Sequence, residues 1–396
     1  MTRKQNIARI VDAMRRADSL TITEISEQTS LSRATVQTIL TALRKNHVVN
    51  AAGTRRIRGN GGKPPQLFSF NPRARFAVGM QLSFDRLHAK LVDLNYETIG
   101  EFSAPIHEDI MIDHLLRLIN EGLYSLTGAL PRGSIVGLGF GGHGVTDIAS
   151  GVILTSPHNP SWGNYLELRD LITSSIEDTF PVYVDNAVRY RTLAEQIVGR
   201  LKMVKDAMVI HCSEGVIAGL IADGHVRRGN NNLVGAIGHM KINSDDQRLC
   251  KCGGTGCFEM QIAPSQVVVQ VRADYPDLLG PHQDDIDPSE HLLHLFKHAN
   301  EGNHQARTVL TDLARWFAIT IHNSVVTTDP EVVVIQGIYA RAGRFFLSEL
   351  HRQLNLVSLV NVKLSTRIEY SRLGEDAGAI GAANYAVQKF LETVRA

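Results

Sequence analysis

The apolar positions at the start of the chain repeat with helical spacing. Ile7, Ile10, Val11 and Met14 fall on one face of a helix predicted over residues 5–16, because residues three and four apart share a face. Ile22 and Ile25 mark a second, short helix around Thr23-Glu24-Ile25-Ser26-Glu27, with Thr21 or Thr23 placed to cap its free amides. After the tight connection Thr29-Ser30-Leu31, Ser32 is the N-cap expected for a third helix over 33–46, whose Val36, Ile39, Leu40 and Leu43 face inward. The opposite face carries Ala34, Gln37, Thr38, Thr41 and Lys45, with Arg33 at its start. The period then shortens, and Val48-Val49 and Leu67-Phe68-Ser69-Phe70 read as paired strands. Farther on, strand-like runs at 76–82, 135–139, 182–184, 207–212 and 332–336 alternate with helical stretches such as 113–127 and 188–198, the pattern of an α/β body.

Charge divides the chain where the pattern does. Residues 1–75 hold 14 Lys and Arg against 4 Asp and Glu, a net of +10, and the remaining 27 basic and 36 acidic residues give −9. A basic head on an acidic body points to a polyanionic partner, since Lys and Arg near phosphates release counterions; the competing reading is a merely solvated face. Three short helices could also form a plain bundle, but a strand pair flanking Arg55, Arg56, Arg58 and Lys63 among glycines adds a wing. The head therefore reads as a winged helix-turn-helix binding a double-stranded DNA operator. Ser32, Arg33, Gln37, Thr38 and Thr41 are placed for bases and phosphates, and the wing cations suit the negative minor groove. The run Gly59-Asn60-Gly61-Gly62-Lys63-Pro64-Pro65 would equally serve as an interdomain linker. With 396 residues, 43% of them hydrophobic, there is apolar material for two or three lobes, and no apolar run approaches a membrane span, so a cytoplasmic location without membrane insertion is expected.

Three of the four cysteines, Cys250, Cys252 and Cys257, crowd into eight residues, shortly after Gly238-His239. Without a secretion signal such crowding favours metal binding over disulfides. Three thiolates and the His239 imidazole complete a tetrahedral Zn²⁺ shell with no open position, which predicts a structural ion rather than a hydrolytic or sensed one. Cys212, in a strand-like run, is expected to be a core thiol.

His239 with the run Cys-x-Cys-Gly-x-x-Gly-Cys-x-Glu from Cys250 to Glu259 resembles the zinc signature of the ROK family, which joins sugar-responsive repressors and sugar kinases. Gly235-Ala236-Ile237-Gly238-His239, the segment from Asp329 to Gly337, and Gly378-Ala379-Ile380-Gly381-Ala382-Ala383 are also similar to family motifs, so the resemblance spans nearly the whole chain. It implies an actin-like ATPase body of two α/β lobes around a sugar cleft. The expected boundaries are 1–72 for the head, 73–187 for lobe I completed by a helix over 375–396, and 188–374 for lobe II with the zinc site. The resemblance also implies that Asn186, His239 and Glu259 contact a sugar, with His239 serving both metal and ligand.

Where the kinases carry Asp-x-Gly-Gly-Thr at the nucleotide phosphates, this chain reads Ser83-Phe84-Asp85-Arg86, placing bulk and negative charge there. The kinases' general base falls on Ala187, unless a shifted register brings in Asp185, and Ala236 replaces a sugar-holding Glu. The expectation is a transcriptional regulator, a repressor of carbohydrate genes acting as a homodimer or homotetramer, that is not an enzyme; the alternative is an active ROK sugar kinase. With Arg189 near the altered pocket, the expected effector is a sugar or an anionic sugar such as a sugar phosphate, unless Arg189 points to solvent.

Overall fold

The computed structural model describes residues 2–55, 64–107, 109–280, 287–357 and 365–394. The head opens with α1 (Arg3–Arg15), β1 (Leu20–Thr21), α2 (Ile22–Thr29) and α3 (Arg33–Lys45), followed by β2 (Val49–Thr54) and β3 (Gln66–Phe70). Helix α1 begins two residues earlier than the apolar pattern predicts. Thr2 caps it, and the Gln5 side chain returns a hydrogen bond to the cap amide. Thr21 rather than Thr23 caps α2, its hydroxyl accepting from the Glu24 amide while Glu24 accepts from the Thr21 amide at 2.8 Å. Ser32 caps α3 as expected, and Val36, Ile39, Leu40 and Leu43 are buried. The three strands form an antiparallel sheet in the order β1-β3-β2. Strands β2 and β3 pair with each other, and Gly59 to Lys63 of the glycine-rich run between them lie outside the described residues.

The chain enters the body through Pro72–Ala74. Strands β4 (Phe76–Leu82), β5 (Arg86–Asp93) and β6 (Thr98–Pro105) precede α4 (Ile112–Thr127) and β7 (Ile135–Gly142). Short strands β8 (Val145–Asp147), β9 (Val152–Thr155) and β10 (Asn164–Leu166) form a small antiparallel sheet ahead of α5 (Leu168–Ser175), β11 (Val182–Asn186) and α6 (Ala187–Ile197). The first large sheet runs β11-β7-β4-β5-β6; its first pairs are parallel and β4, β5 and β6 pair antiparallel.

The second half supplies β12 (Ala207–Cys212), β13 (Val216–Ala222) and β14 (His225–Arg227), then α7 (Glu259–Ile262), α8 (Pro264–Asp274), α9 (Pro288–Asn300) and α10 (His304–Thr328). After β15 (Val332–Gly337), α11 (Gly343–Val357) and β16 (Arg367–Tyr370), the described chain closes with α12 (Ala377–Thr393). The second sheet is ordered β14-β13-β12-β15-β16, so each half carries a five-stranded mixed sheet with an antiparallel hairpin. Cys212 is fully buried in β12, and burial pushes its thiol up, as suits a core position.

Helix α12 returns across the molecule to the first sheet. Its small residues let backbones touch: a Cβ on Gly79 would stand 1.9 Å from the Ala379 carbonyl oxygen, and one on Gly381 would stand 1.8 Å from that of Tyr190. No side chain fits at either place. One face of α12 also joins the head. Ile7, Ile10, Val11 and Met14 share a continuous apolar cluster with Ala77, Val92, Leu94, Leu391 and Val394. Arg15 of α1 donates to the Leu94 carbonyl at 3.1 and 2.6 Å and lies 4.0 Å over the Tyr96 ring, while Lys4 pairs with Glu392 at 3.0 Å. The head is therefore packed onto the body rather than hung from it. Among the described residues, no helix is long and apolar enough to cross a membrane.

Candidate functional site: recognition helix, metal loop and interlobe cleft

Helix α3 turns its polar face to solvent. Ser32, Arg33, Gln37, Thr38 and Thr41 are all exposed. The Thr38 and Thr41 hydroxyls donate back to the Ala34 and Gln37 carbonyls at 3.0 and 2.9 Å, and Ser32 is occupied in capping Thr35. Arg33 and Gln37 are left as the long donors in the first turns of this face, with Lys45 exposed at its far end. Arg55 is ion-paired to Glu24, tying the end of β2 to α2. Arg56, Arg58 and Lys63 lie outside the described residues.

His239, Cys250, Cys252 and Cys257 come together with all four ligand atoms within 4.8 Å of one another. Local backbone bonds shape the loop: the Cys250 amide donates to Gly254 and the Gly253 amide to Cys250, both at 2.8 Å. Cys252 and Cys257 sulfurs stand 3.6 Å apart, as do the Cys250 sulfur and His239 Nδ1. With Zn–S bonds near 2.3 Å, a tetrahedron has S–S edges of about 3.7 Å, so the donor set fits a four-coordinate ion. The cysteines are not joined in disulfides, and Lys241 Nζ lies 2.9 Å from the Cys257 sulfur, offsetting thiolate charge.

The metal loop borders a cavity of about 530 Å³ between the two halves. Asn186 and Ala187, at the junction of β11 and α6, line it together with His239 and Glu259. Asn186 caps α6, its Oδ1 accepting from Val188 at 2.9 Å and its Nδ2 donating to the Gly144 carbonyl at 2.8 Å. Glu259 accepts from the Val216 amide at 2.8 Å, and burial holds its carboxyl above the usual carboxylate range.

Asp185 does not line the cavity. It is fully buried between two guanidiniums, Arg189 at 2.8 Å and Arg228 at 2.9 Å, and also accepts from the Asn186 amide. Both of its carboxylate oxygens are therefore engaged by arginine, away from the cavity lining. Arg189 settles one alternative: it does not point to solvent but lines the cavity, with its guanidinium already engaged. It is buried, and besides Asp185 it donates to the Thr146 carbonyl at 3.2 Å and the Asn232 carbonyl at 2.6 Å.

The sequence marked Phe84 but not its ring partners His143 and His158. Phe84, in the turn between β4 and β5, stacks on His143 with centroids 4.8 Å apart and meets His158 edge-on at 4.8 Å. A Cβ on Gly215, in the turn between β12 and β13, would stand 3.6 Å from the Phe84 ring, so Phe84 reaches across the cleft. His211 and Arg191 complete this end. Arg191 bonds Glu375 just ahead of α12, and Gln81 donates to the Glu375 carbonyl at 3.0 Å.

The model of the ROK family matches residues 79–389. The chain belongs to the ROK family. Among curated ROK relatives, the xylose repressor of Caldicellulosiruptor bescii is 28% identical over 379 residues, 93% of this chain and 92% of its own length. Among solved structures, a ROK family transcriptional regulator, a homolog of the E. coli MLC protein, aligns with a TM-score of 0.82 at 22% identity, covering 99% of this chain and 98% of its own. A ROK glucokinase from Streptomyces griseus, solved with glucose and AMPPNP, aligns with a TM-score of 0.66 at 21% identity, covering 79% of this chain and 99% of its own. The actin-like ATPase fold expected of a ROK body is the fold found.

Proposed function

We propose that this ROK protein is a sugar-responsive DNA-binding repressor, acting as a homodimer or homotetramer on a palindromic operator, with a body that does not phosphorylate sugars. The observation that carries the reading is the exposed face of α3, on a basic head that lies outside the residues 79–389 matched by the family model. Arg33 and Gln37 would read base edges, and Ser32, Thr38, Thr41 and the wing cations Arg56, Arg58 and Lys63 would hold phosphates; Arg55 braces the wing against α2. Against a kinase stand three features of the cleft. Ala187 has no proton acceptor, Asp185 is consumed by two arginines, and Phe84 places a ring where the kinases' phosphate stretch carries small residues.

His239, Cys250, Cys252 and Cys257 would hold Zn²⁺, which supplies charge neutralisation and a rigid loop rather than a reactive water. Its neighbours Lys251 and Cys252 line the cleft, so the loop forms one wall of the effector site. Asn186, Glu259 and the second nitrogen of His239 would take sugar hydroxyls.

Helix α12 is the route from site to head. Its N-terminal end lies by Arg191, Gln81 and the 2.6 Å pair of Lys90 with Asp376; its C-terminal end lies in the head's core beside Lys4. Seventeen residues span about 25 Å, so an effector that repositions the cleft end moves the heads and their half-site spacing. The test is a gel shift of the full chain on its own upstream region, with an ADP-release assay across common sugars in parallel. Specific binding at moderate salt with background ADP release is expected; sugar-dependent ADP release would restore the kinase reading.

A further inference from the structure

The exposed face of α3 is less polar than its residue names suggest. At about 100° of turn per residue, Ala34, Thr38, Thr41 and Lys45 fall within about 60° of one another and form the central stripe of that face, while Arg33, Gln37 and Arg44 line one edge. Along the stripe each threonine hydroxyl is engaged by the helix itself: Thr38 Oγ1 donates to the Ala34 carbonyl at 3.0 Å, and Thr41 Oγ1 to the Gln37 carbonyl at 2.9 Å. A hydroxyl drawn back along the helix to a carbonyl leaves the γ-methyl as the outward group of an exposed threonine. The stripe therefore presents the Ala34 β-methyl and the Thr38 and Thr41 γ-methyls, with one cation, Lys45, at its far end.

This arrangement decides what the stripe can read. Phosphate oxygens only accept hydrogen bonds, and a hydroxyl has a single proton. With that proton given to a helix carbonyl, Thr38 and Thr41 have none for a phosphate, nor for N7, O6 or O4 on a base edge. A methyl in the major groove is met by another methyl, and the groove of unmodified DNA carries one kind, the C5-methyl of thymine. The span also fits: Ala34 to Thr41 covers about 10 Å along the helix axis, the length of about three base-pair steps. Arg33 and Gln37 stand beside the stripe, where a guanidinium and an amide reach the hydrogen-bonding edges of neighbouring pairs.

Resting on the reading of α3 as the recognition helix, we propose that Ala34, Thr38 and Thr41 read, by van der Waals contact, the thymine C5-methyl groups of a short run of A·T pairs in each half-site. Thr38 and Thr41 thereby move from holding phosphates to selecting bases, and they select through their methyls rather than their hydroxyls.

The test is replacement of thymine by uracil, which removes the 5-methyl and leaves every hydrogen-bonding group in place. The zinc-loaded full chain is footprinted on its own upstream region; each thymine of a protected half-site is then replaced singly, and Kd is read by gel shift at one salt concentration. Two or three neighbouring thymines are expected to cost about fourfold each, the contribution of one buried methyl, and the rest less than about twofold. Thr38→Ser keeps the hydroxyl and drops the methyl, and is expected to bring the thymine-to-uracil ratio at one of these positions to unity with Tm unchanged. Thr38→Val keeps a methyl and drops the hydroxyl, and is expected to preserve that ratio. Equal binding of thymine and uracil duplexes at every position, or a ratio lost in Thr38→Val and kept in Thr38→Ser, overturns the proposal while the specific shift upholds the repressor reading. Absence of a specific shift on the thymine duplex overturns that reading, and this proposal with it.

Discussion

The metal loop and the cleft meet at His239 but are assembled in opposite ways. Three of the four candidate metal ligands sit within eight residues of chain, and the loop's backbone bonds span only a few residues. The cleft collects Phe84, His143, His158, Asn186, His211 and Glu259 from strands, turns and a helix start spread over both halves of the body. A locally closed site keeps its shape whatever the two halves do, whereas a site drawn from both halves changes whenever they shift. One therefore supplies a fixed wall and the other a sensor.

Stripping the metal should produce the largest effect. Chelation, or Cys252→Ser, is expected to lower Tm by about 10 °C or more and to abolish effector binding, because ligand thiolates left without their ion repel one another. An unchanged melting curve would erase the distinction between wall and sensor. Next in size, Asp185→Asn removes the carboxylate shared by Arg189 and Arg228 and strands two guanidiniums. It is expected to cost about 3–5 kcal/mol in urea unfolding while zinc content stays stoichiometric. Loss of zinc along with stability would mean that the two sites are one.

Arg33→Ala and Gln37→Ala lie outside both regions. Each should weaken operator binding by about 1–3 kcal/mol in a salt-controlled gel shift, leaving Tm and effector affinity alone. The smallest effect belongs to acid. His143 is held at about 4 in the fold against 6.5 when exposed, by burial, so the unfolded chain takes up the proton first. Stability is complete above pH 6.5 and declines as pH falls from 6.5 toward 4, by at most about 2 kcal/mol at pH 5. His143→Asn should flatten that slope, and a slope that persists unchanged would place the titrating group elsewhere.

The same contrast governs what could be read from the sequence. Helix α3, its cap Ser32 and the inward face of Val36, Ile39, Leu40 and Leu43 depend on neighbours three and four residues away, and so were legible. The metal cluster was legible for the same reason. Strand β1, two residues long, was not: it exists because Leu20 and Thr21 pair with Phe68 and Leu67. The ring cluster was invisible too, since Phe84, His143 and His158 are brought together only by the sheets. The roles of Asp185 and Arg189 escaped because Arg228, the third member of their network, lies 43 residues from Asp185. The seating of the head on α12 likewise joins the two ends of the described chain.

That seating has a practical corollary for exchanging parts between relatives. A hybrid crossed over once, at the entry to the body, would set Ile7, Ile10 and Met14 against a foreign closing helix and separate Lys4 from Glu392. The transplantable operator reader is a discontinuous unit, head plus the last turns of α12, and successful chimeras should need two junctions rather than one.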